Sequence, residues 1–238
     1  TIINNSRGEY IAFFDDDDFS KSNRIEIQYN KIKSFEKKNN TNLIACYASG
    51  VRKYPNGYNL NLNAISSKNN IPLSGKLIPN YLLLNKLNKK YFYGSGIPSC
   101  ALMAKKSTFK IVDGYDQNFK RIEDADFAIR LSEIGGYFIG TNELLYIQYS
   151  TVGSDKSSKK NLESEQYIVN KHIKLFESKR DYFHALNWPL LRYYHFNKRY
   201  YDFIFLFIKL FLNKPFYSII HLLKSGPRRF FHEKKMRN

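Results

Sequence analysis

The sequence predicts an α/β domain followed by a helical extension. Three observations favour this fold class. Strand-like and helix-like patterns alternate up to about residue 150, a Gly/Ser/Lys segment at residues 153–160 interrupts them, and helical periodicity dominates afterwards. The 238 residues suffice for one α/β domain with an appendage. We therefore predict a first domain over residues 1–152 and a helical, basic and aromatic extension over residues 153–238.

The elements of the first domain follow from local patterns taken in order. Tyr10–Phe14 is a short β-branched and aromatic run closed by acidic residues, which predicts a buried strand. The next apolar positions at helical spacing are Ile25, Tyr29, Ile32 and Phe35, within a helix predicted over residues 22–37. The remaining predictions are strands at 43–47, 99–104, 137–139 and 144–149, helices at 78–87, 106–112 and 124–134, and a long loop at 53–75.

The composition indicates a folded and strongly basic protein. Hydrophobic residues make up 43% of the chain and aromatic residues 16%, which excludes a disordered chain. A formal net charge of +17 attracts polyanions such as nucleic acid, anionic lipid headgroups or phosphorylated substrates. Cys46 and Cys100 have no metal-ligand spacing and are expected in the core. The opening residues do not resemble a signal peptide, and the apolar stretch 203–212 is about half as long as a bilayer span.

Four consecutive aspartates, Asp15 to Asp18, follow the Tyr10–Phe14 strand. Carboxylates packed at a strand terminus repel one another in a low dielectric unless a cation lies among them. Oxygen ligands of this kind select Mg²⁺ or Mn²⁺. The run therefore indicates either a metal-assisted site or, as acidic runs commonly do, a solvated turn or helix N-cap near Ser20 and Ser22.

A second acidic cluster, Glu123, Asp124 and Asp126, lies at the start of a predicted helix. Helix N-termini favour carboxylates, so capping explains one or two of them. Three acids within four positions exceed what capping needs, and Asp126 and Arg130 have the spacing of a helical ion pair. The cluster indicates either pure capping or a carboxylate that accepts a proton from an attacking hydroxyl.

Together the two clusters resemble a known family. Residues 4–18, which include Arg7 and end in Asp15–Asp18, resemble the strand and DxD motif of family 2 inverting glycosyltransferases. Glu123–Leu131 resembles their ED motif. Three segments between them resemble the family's linking region: Pro98-Ser99, Lys105–Phe109 and Gly114–Asp116. The similarity covers about residues 4–150.

The resemblance implies a GT-A fold without its first strands, a nucleotide-sugar donor, and Mn²⁺ or Mg²⁺ as cofactor. By position, Asp15 and Asp17 are the outer acids of the DxD motif, and Asp17 contacts the metal on the diphosphate directly. Asp15 also belongs to the nucleotide-sugar-binding set, together with Asp16 near the ribose and Arg7.

On the acceptor side, the resemblance implies that Asp124 is the general base. It deprotonates the acceptor hydroxyl, which then attacks the anomeric carbon with inversion. Glu123 and Asp126 are second choices near the acceptor, and Arg130 has a structural role. The metal stabilises the leaving diphosphate while the carboxylate activates the nucleophile, so they act at opposite ends of one displacement.

The sequence departs from the family pattern in two places. The family opens with a strand and a following aspartate that bind the nucleotide base, and neither precedes Thr1. We therefore expect an N-terminally truncated chain with half of its nucleotide pocket. Many members also have a histidine after the last domain strand, where this chain has Ser150. Either this contact is absent, or Asp155 or another residue of the 153–160 segment replaces it.

The C-terminal region combines basic and aromatic residues: residues 189–238 contain 11 Lys/Arg against 2 Asp/Glu. Helices are predicted at about 161–179, 198–212 and 215–224. Their aromatic residues either pack on the first domain or form a membrane-interfacial surface, and we favour the second hypothesis. The side chains expected on anionic lipid are Arg228, Arg229, Lys234, Lys235 and Arg237.

These observations predict an inverting glycosyltransferase that moves a sugar from a nucleotide-sugar donor to a glycan or lipid-linked acceptor in bacterial surface-polysaccharide biosynthesis. The bacterial setting follows from the resemblance and from the Lys/Asn/Ile/Phe-rich composition. We expect a cytoplasmic protein, peripheral on the inner face of the cell membrane, without a nucleic-acid partner. The alternatives are an inactive remnant of such an enzyme, a basic module that binds membrane or nucleic acid without catalysis, and a nucleotidyltransferase of related fold.

Overall fold

The computed structural model describes residues 2–150 and 158–237. Asp155 lies outside the described residues, as do the side chains of Arg228, Arg229 and Arg237. The chain divides into two compact units. The first contains residues up to Leu82, Lys86–Gln117 and Glu123 through the last strand, and the second contains Leu83–Asn85, Asn118–Ile122 and the C-terminal helices.

The elements follow one another as strands and helices to residue 149 and as helices thereafter. The strands are β1 (Tyr10–Ala12), β2 (Phe19–Ser20), β3 (Ile44–Lys53), β4 (Asn59–Leu62), β5 (Leu73–Ser74), β6 (Leu102–Lys105) and β7 (Tyr137–Tyr149). The helices are α1 (Ile2–Asn5), α2 (Arg24–Asn39), α3 (Leu77–Leu84), α4 (Lys106–Ile111), α5 (Glu123–Glu133), α6 (Ser158–Lys171), α7 (Lys179–Phe196), α8 (Tyr200–Asn213) and α9 (Pro215–Arg237). Short 3₁₀ turns lie at Ser99–Ala101 and Ile173–Leu175.

All described strands belong to one mixed sheet with the order β1-β6-β3-β7-β2, in which β4 also pairs with β3 and β5 with β7. β3 and β7 are parallel. β6 is antiparallel to both β1 and β3, so β1 runs in the same direction as β3 and β7. The carboxyl ends of these three strands therefore lie at the same edge of the sheet, where open α/β sheets bind their ligands.

Successive side chains along a strand point to opposite faces of the sheet, and both faces of this sheet are buried. Ile44 and Cys46 of β3 pack with Ile32 of α2 on one face, whereas Ala45 and Tyr47 belong to the larger core on the other. This layered arrangement, with the helical C-terminal region, confirms the predicted α/β fold class with its helical extension. Cys46 and Cys100 are both buried and unpaired as disulfides, which confirms their prediction as core residues.

Helix α2 buries a different face from the one its apolar periodicity suggests. Ile25 and Tyr29 are 41% and 40% exposed, while Arg24, Gln28 and Ile32 are buried. The two polar side chains are tolerated because backbone carbonyls beneath the helix accept their hydrogen bonds.

Two strand predictions differ from the structure. The 53–75 segment, predicted as a loop, contains β4 and β5, which pair with β3 and β7. The two strands predicted at 137–139 and 144–149 are one continuous strand, β7. The register along its partner β3 shifts between Tyr47 and Gly50. This irregularity lets one strand pass through the polar Gly140–Glu143 stretch that appeared to divide it.

The second unit is built from α6 to α9. Helix α6 ends at Lys171, earlier than predicted, and the unpredicted helix α7 begins after Ser178, whose hydroxyl accepts a hydrogen bond from the Asp181 amide. Pro189 lies inside α7. Because proline normally ends a helical pattern, the sequence did not predict this helix. None of the helices described is long and apolar enough to cross a membrane.

A cavity of about 710 Å³ lies between the helices of the second unit. Its walls include Trp188, Phe203 and Leu222, together with the Arg192–Glu165 ion pair. The lining contains none of the residues that the sequence predicts as site residues.

Candidate active site

The four aspartates form a turn at the carboxyl end of β1. The Asp18 amide donates a hydrogen bond to the Asp15 carbonyl at 3.3 Å, so Asp16 and Asp17 occupy the central turn positions. The chain then enters β2, which pairs with β7 near its carboxyl end. The turn therefore carries the acidic run across the sheet edge at which β1, β3 and β7 terminate.

Closure of this turn brings Asp15 and Asp18 together. One carboxylate oxygen from each lies with the Cys100 sulfur in a group whose atoms are all within 4.8 Å of one another. Burial and the neighbouring carboxylates raise the pKa of both aspartates. Both carboxylate oxygens of Asp18 are buried and lack a hydrogen-bond partner of normal geometry among the described residues, although the Tyr149 backbone lies near enough to oppose the rise in the Asp18 pKa. A buried, unsatisfied carboxylate is a position that a cation would stabilise.

The predicted metal pair was Asp15 with Asp17, but the structure gathers Asp15 with Asp18. Asp15, Asp16 and Asp17 are all exposed, and Asp16 and Asp17 form the tip of the turn. The two gathered carboxylates supply hard oxygen ligands that fit Mn²⁺ or Mg²⁺. Burial, followed by the charges of Asp15 and Asp18, raises the pKa of the Cys100 thiol to about 12. The thiol therefore stays protonated and acts as a hydrogen-bond donor to Asp15, which opposes the rise in the Asp15 pKa.

Arg24 holds the backbone next to the acidic turn through hydrogen bonds. The sequence analysis did not identify this residue. Its Nη2 donates to the carbonyls of Phe13, at 3.1 Å, and Cys100, at 2.7 Å, and its Nε donates to Gln28 at 2.9 Å. These bonds tie the end of β1 to the 3₁₀ turn that holds Cys100. The i,i+4 spacing of Arg24 and Gln28, in line with Ile32, is the signal that points to a buried polar pair.

Asp124 lies in the first turn of α5, where its carboxylate accepts a 2.8 Å hydrogen bond from the Ala125 amide. Burial raises the pKa of Asp124 to about 6, with a further contribution from Glu123, although backbone N–H groups oppose the shift. A carboxylate with this pKa is ionised at neutral pH and is a better proton acceptor than an ordinary aspartate.

Tyr115 packs between the end of β1 and helix α5 within the first unit. Its ring packs on Phe13, with centroids 5.6 Å apart, and on Phe127, at 5.2 Å. Burial raises the pKa of Tyr115, and the nearby acidic groups of Asp124 and Cys100 raise it further. Tyr115 thus contacts the strand end that precedes the acidic turn and lies close to both Asp124 and Cys100.

Asp126 and Arg130 form the predicted ion pair, with Nε to carboxylate at 2.7 Å. Arg130 also donates to the carbonyls of Val112 and Gly114, so the pair holds the bend after α4. The Asp126 side chain is completely buried. Helix α5 thus turns Asp126 inward, and its predicted place near the acceptor stays a prediction.

The other predicted site residues do not belong to the group formed by Asp15, Asp18 and Cys100. Arg7 is exposed and precedes β1, at the opposite end of that strand from Asp15, so the structure does not place it with the acidic turn. Glu123 is partly buried beside Asp124. Ser150 follows β7, and its amide donates to the Lys53 carbonyl at 2.9 Å.

The chain matches no protein-family model and no curated protein sequence. It is similar in structure to crystal structures of S. aureus TarS residues 1–349. The complex with UDP-GlcNAc has 12% identity and a TM-score of 0.49, over 82% of this chain and 51% of that one. A further crystal structure of TarS 1–349 has 13% identity and a TM-score of 0.49, over 83% of this chain and 50% of that one. The complex with UDP has 12% identity and a TM-score of 0.47, over 81% and 49%. The chain spans about half the length of these structures.

Proposed function

We propose that the chain carries the catalytic centre of an inverting glycosyltransferase of the family 2, GT-A type. The observation that supports this proposal most is that one compact unit holds a buried carboxylate, Asp18, at a strand end and a carboxylate of raised pKa, Asp124, at a helix start. Tyr115 lies near Asp124 and packs on Phe13, just before the acidic turn. Asp18 suits the diphosphate end of a nucleotide sugar, and Asp124 suits the acceptor hydroxyl.

On the donor side, Asp15 and Asp18 would hold Mn²⁺ or Mg²⁺. When bound, the ion would neutralise the diphosphate and stabilise it as a leaving group. Arg24 fixes the strand end and the Cys100 turn on which these carboxylates depend. Asp17 stays a candidate ligand and Asp16 a candidate ribose contact, because both side chains face solvent at the tip of the turn.

On the acceptor side, Asp124 accepts the proton of the attacking hydroxyl. The hydroxyl oxygen forms a bond to the anomeric carbon as the bond from that carbon to the diphosphate oxygen breaks, so the configuration inverts in one displacement. The proton stays on the Asp124 carboxylate until solvent removes it. Glu123, next to Asp124, is the second candidate for acceptor contact.

The substrate and setting follow the family resemblance. The donor is a nucleotide sugar, and the acceptor is a glycan or a lipid-linked glycan in bacterial surface-polysaccharide biosynthesis. The cytoplasmic face of the cell membrane is the location at which such a donor and a lipid-linked acceptor meet.

The test is release of nucleoside diphosphate from a panel of nucleotide sugars with Mn²⁺, by the wild type, Asp18→Asn, Asp17→Asn and Asp124→Asn. We expect Asp18→Asn and Asp124→Asn to lose at least about a hundredfold in rate, as removal of a general base or charge-stabilising group does. Glu26→Gln, an exposed change in α2, is the matched control.

Three results would separate the alternatives. Nucleotide exchange without sugar transfer would indicate a nucleotidyltransferase. Salt-dependent DNA binding with no response to metal or nucleotide sugar would indicate a binding module. Full activity of Asp124→Asn would contradict its role as the base.

A further inference from the structure

Helices α8 and α9 each expose an apolar stripe at helical spacing. The α8 stripe consists of Tyr201 (94% exposed), Ile204 (57%), Phe205 (63%), Ile208 (50%) and Leu212 (73%). The α9 stripe consists of Phe216 (85%), Ile219 (41%), Ile220 (48%), Leu223 (65%) and Phe231 (61%). Two helices that each expose a row of large apolar side chains are unusual on a protein face that meets only water. We call the two stripes together the α8–α9 surface.

The α8–α9 surface faces away from the core of the second unit. Leu206 and Leu210, on the other side of α8, pack with Trp188 in the buried cluster, and Leu222 of α9 packs against the same cluster. The Ser218 hydroxyl donates to the Leu210 carbonyl at 2.9 Å where the two helices meet. Each helix therefore packs on the core through the face opposite its stripe, and the stripes remain accessible to an external partner.

The charges of the α8–α9 surface are positive. Lys209 and Lys224 lie beside the stripes, four residues after Phe205 and Ile220, and are exposed. The Lys209 ammonium lies 4.3 Å from the Phe205 ring centroid. No stripe position is acidic, and the nearby Asp202 is paired with Arg199 at 2.7 Å. Apolar and aromatic side chains bordered by lysines match the interface of a bilayer that contains anionic lipid.

We propose that the α8–α9 surface docks onto an anionic membrane, with both helices lying in the plane of the interface. Its apolar stripes would enter the boundary between headgroups and acyl chains while Lys209 and Lys224 reach the headgroup phosphates. A second copy of the chain is a poorer occupant, because pairing two such surfaces would bring like charges together. Docking needs no sugar transfer and so goes beyond the proposed function.

The test is co-sedimentation of the 238-residue chain with phosphatidylcholine vesicles, with and without phosphatidylglycerol. We expect binding to the anionic vesicles and release at high salt. The triple change Phe205→Ser, Ile208→Ser and Leu212→Ser should weaken binding about tenfold or more, because it removes apolar contacts. Lys209→Glu with Lys224→Glu should weaken binding to anionic vesicles only.

The matched controls lie in the first unit. Ile111→Ser, at an exposed apolar position, and Lys37→Glu with Lys38→Glu, at exposed basic positions, should bind vesicles as the wild type does. Asp124→Asn should also bind normally, which separates docking from catalysis. Absence of vesicle binding, or equal binding by the surface variants, would overturn the proposal. So would concentration-dependent self-association that the triple change abolishes without altering vesicle binding, since the surface would then bind a second copy.

Discussion

Asp124 is the residue on which the proposed chemistry depends most directly. Its folded-state pKa of about 6 means that most molecules carry the ionised base at neutral pH, while the carboxylate keeps a higher proton affinity than a solvent-exposed aspartate. Burial produces this compromise, and Glu123 adds to it. The same burial that makes the carboxylate reactive also makes it unfavourable for the fold.

The first prediction concerns the pH dependence of sugar transfer. Because the base must be ionised, kcat/KM should be half-maximal near pH 6 and should fall about tenfold per pH unit below it. The measurement is the rate of nucleoside diphosphate release between pH 4.5 and about pH 8 under subsaturating donor. A rate that does not change across pH 6 would exclude Asp124 as the titrating base.

The second prediction concerns stability. Between pH 3.8, the ordinary pKa of an aspartate, and about pH 6, the folded state binds more protons at Asp124 than the unfolded state does, so this group lowers stability as the pH rises. Asp124→Asn removes the charge and keeps an oxygen for the Ala125 amide. It should therefore raise the free energy of unfolding by about 1–3 kcal/mol at pH 7.

Urea unfolding of both proteins at pH 7 and pH 4.5 measures this effect. The advantage of Asp124→Asn should shrink at the lower pH, where Asp124 in the folded protein is mostly protonated. An equal advantage at both pH values would mean that the substitution acts through packing instead of charge.

The sequence shows two clusters of acidic residues but not their arrangement. Clustered carboxylates are visible in any sequence, and the resemblance to family 2 glycosyltransferases singled out Asp15 and Asp124 among them. The proximity of Asp18 to Asp15 depends on a hydrogen bond that closes the turn. The inward orientation of Asp126 depends on the rotation of α5 in its packing. Tyr115 comes near Phe13, Cys100 and Asp124 only through tertiary contacts.

At the scale of elements, α2 connects the sheet to the acidic turn. Its buried face presents Arg24 and Gln28 to carbonyls of Phe13, Cys46, Cys100 and Ala101. The helix therefore acts as a clamp on the strand end and on the turn before β6. Sequence periodicity gave the existence and approximate length of α2, but apolar spacing could not reveal a buried face that consists largely of polar side chains.

The third prediction tests this clamp. Arg24→Gln leaves the Phe13 and Cys100 carbonyls without their donor, which should lower the free energy of unfolding by about 2–4 kcal/mol. The Mn²⁺ affinity of the folded protein should also fall, because the acidic turn is less well held. Lys38→Gln, an exposed change on the same helix, is the control. Equal unfolding free energies for Arg24→Gln and the wild type would disprove the clamp.

The helices of the second unit show where local patterns were insufficient. Ranges for α8 and the start of α9 agree with the sequence prediction because their apolar periodicity is regular. Helix α7 was missed because Pro189 interrupts its pattern. The structure accommodates the proline since Trp188 and Leu191 anchor the helix in the buried cluster.

In the whole molecule, we propose that the two units have different functions. The first unit would bind the nucleotide sugar and activate the acceptor, and the second would hold the protein at an anionic membrane. Linking both tasks in one chain would raise the concentration of a lipid-linked acceptor around the catalytic centre.

The fourth prediction follows from this division. Transfer to a lipid-linked acceptor in anionic vesicles should fall about tenfold or more in the Phe205→Ser, Ile208→Ser and Leu212→Ser variant. Its hydrolysis of the nucleotide sugar by water should not change. If both rates fall together, the α8–α9 surface serves the fold or the donor site instead of membrane docking.

The most direct test of the central claim is a crystal structure of the chain with Mn²⁺ and a non-hydrolysable nucleotide sugar. We expect an anomalous manganese peak within coordination distance of carboxylate oxygens of Asp15 and Asp18. We also expect the anomeric carbon to lie between that ion and the Asp124 carboxylate. Manganese bound elsewhere, or a sugar whose anomeric carbon faces away from Asp124, would contradict it.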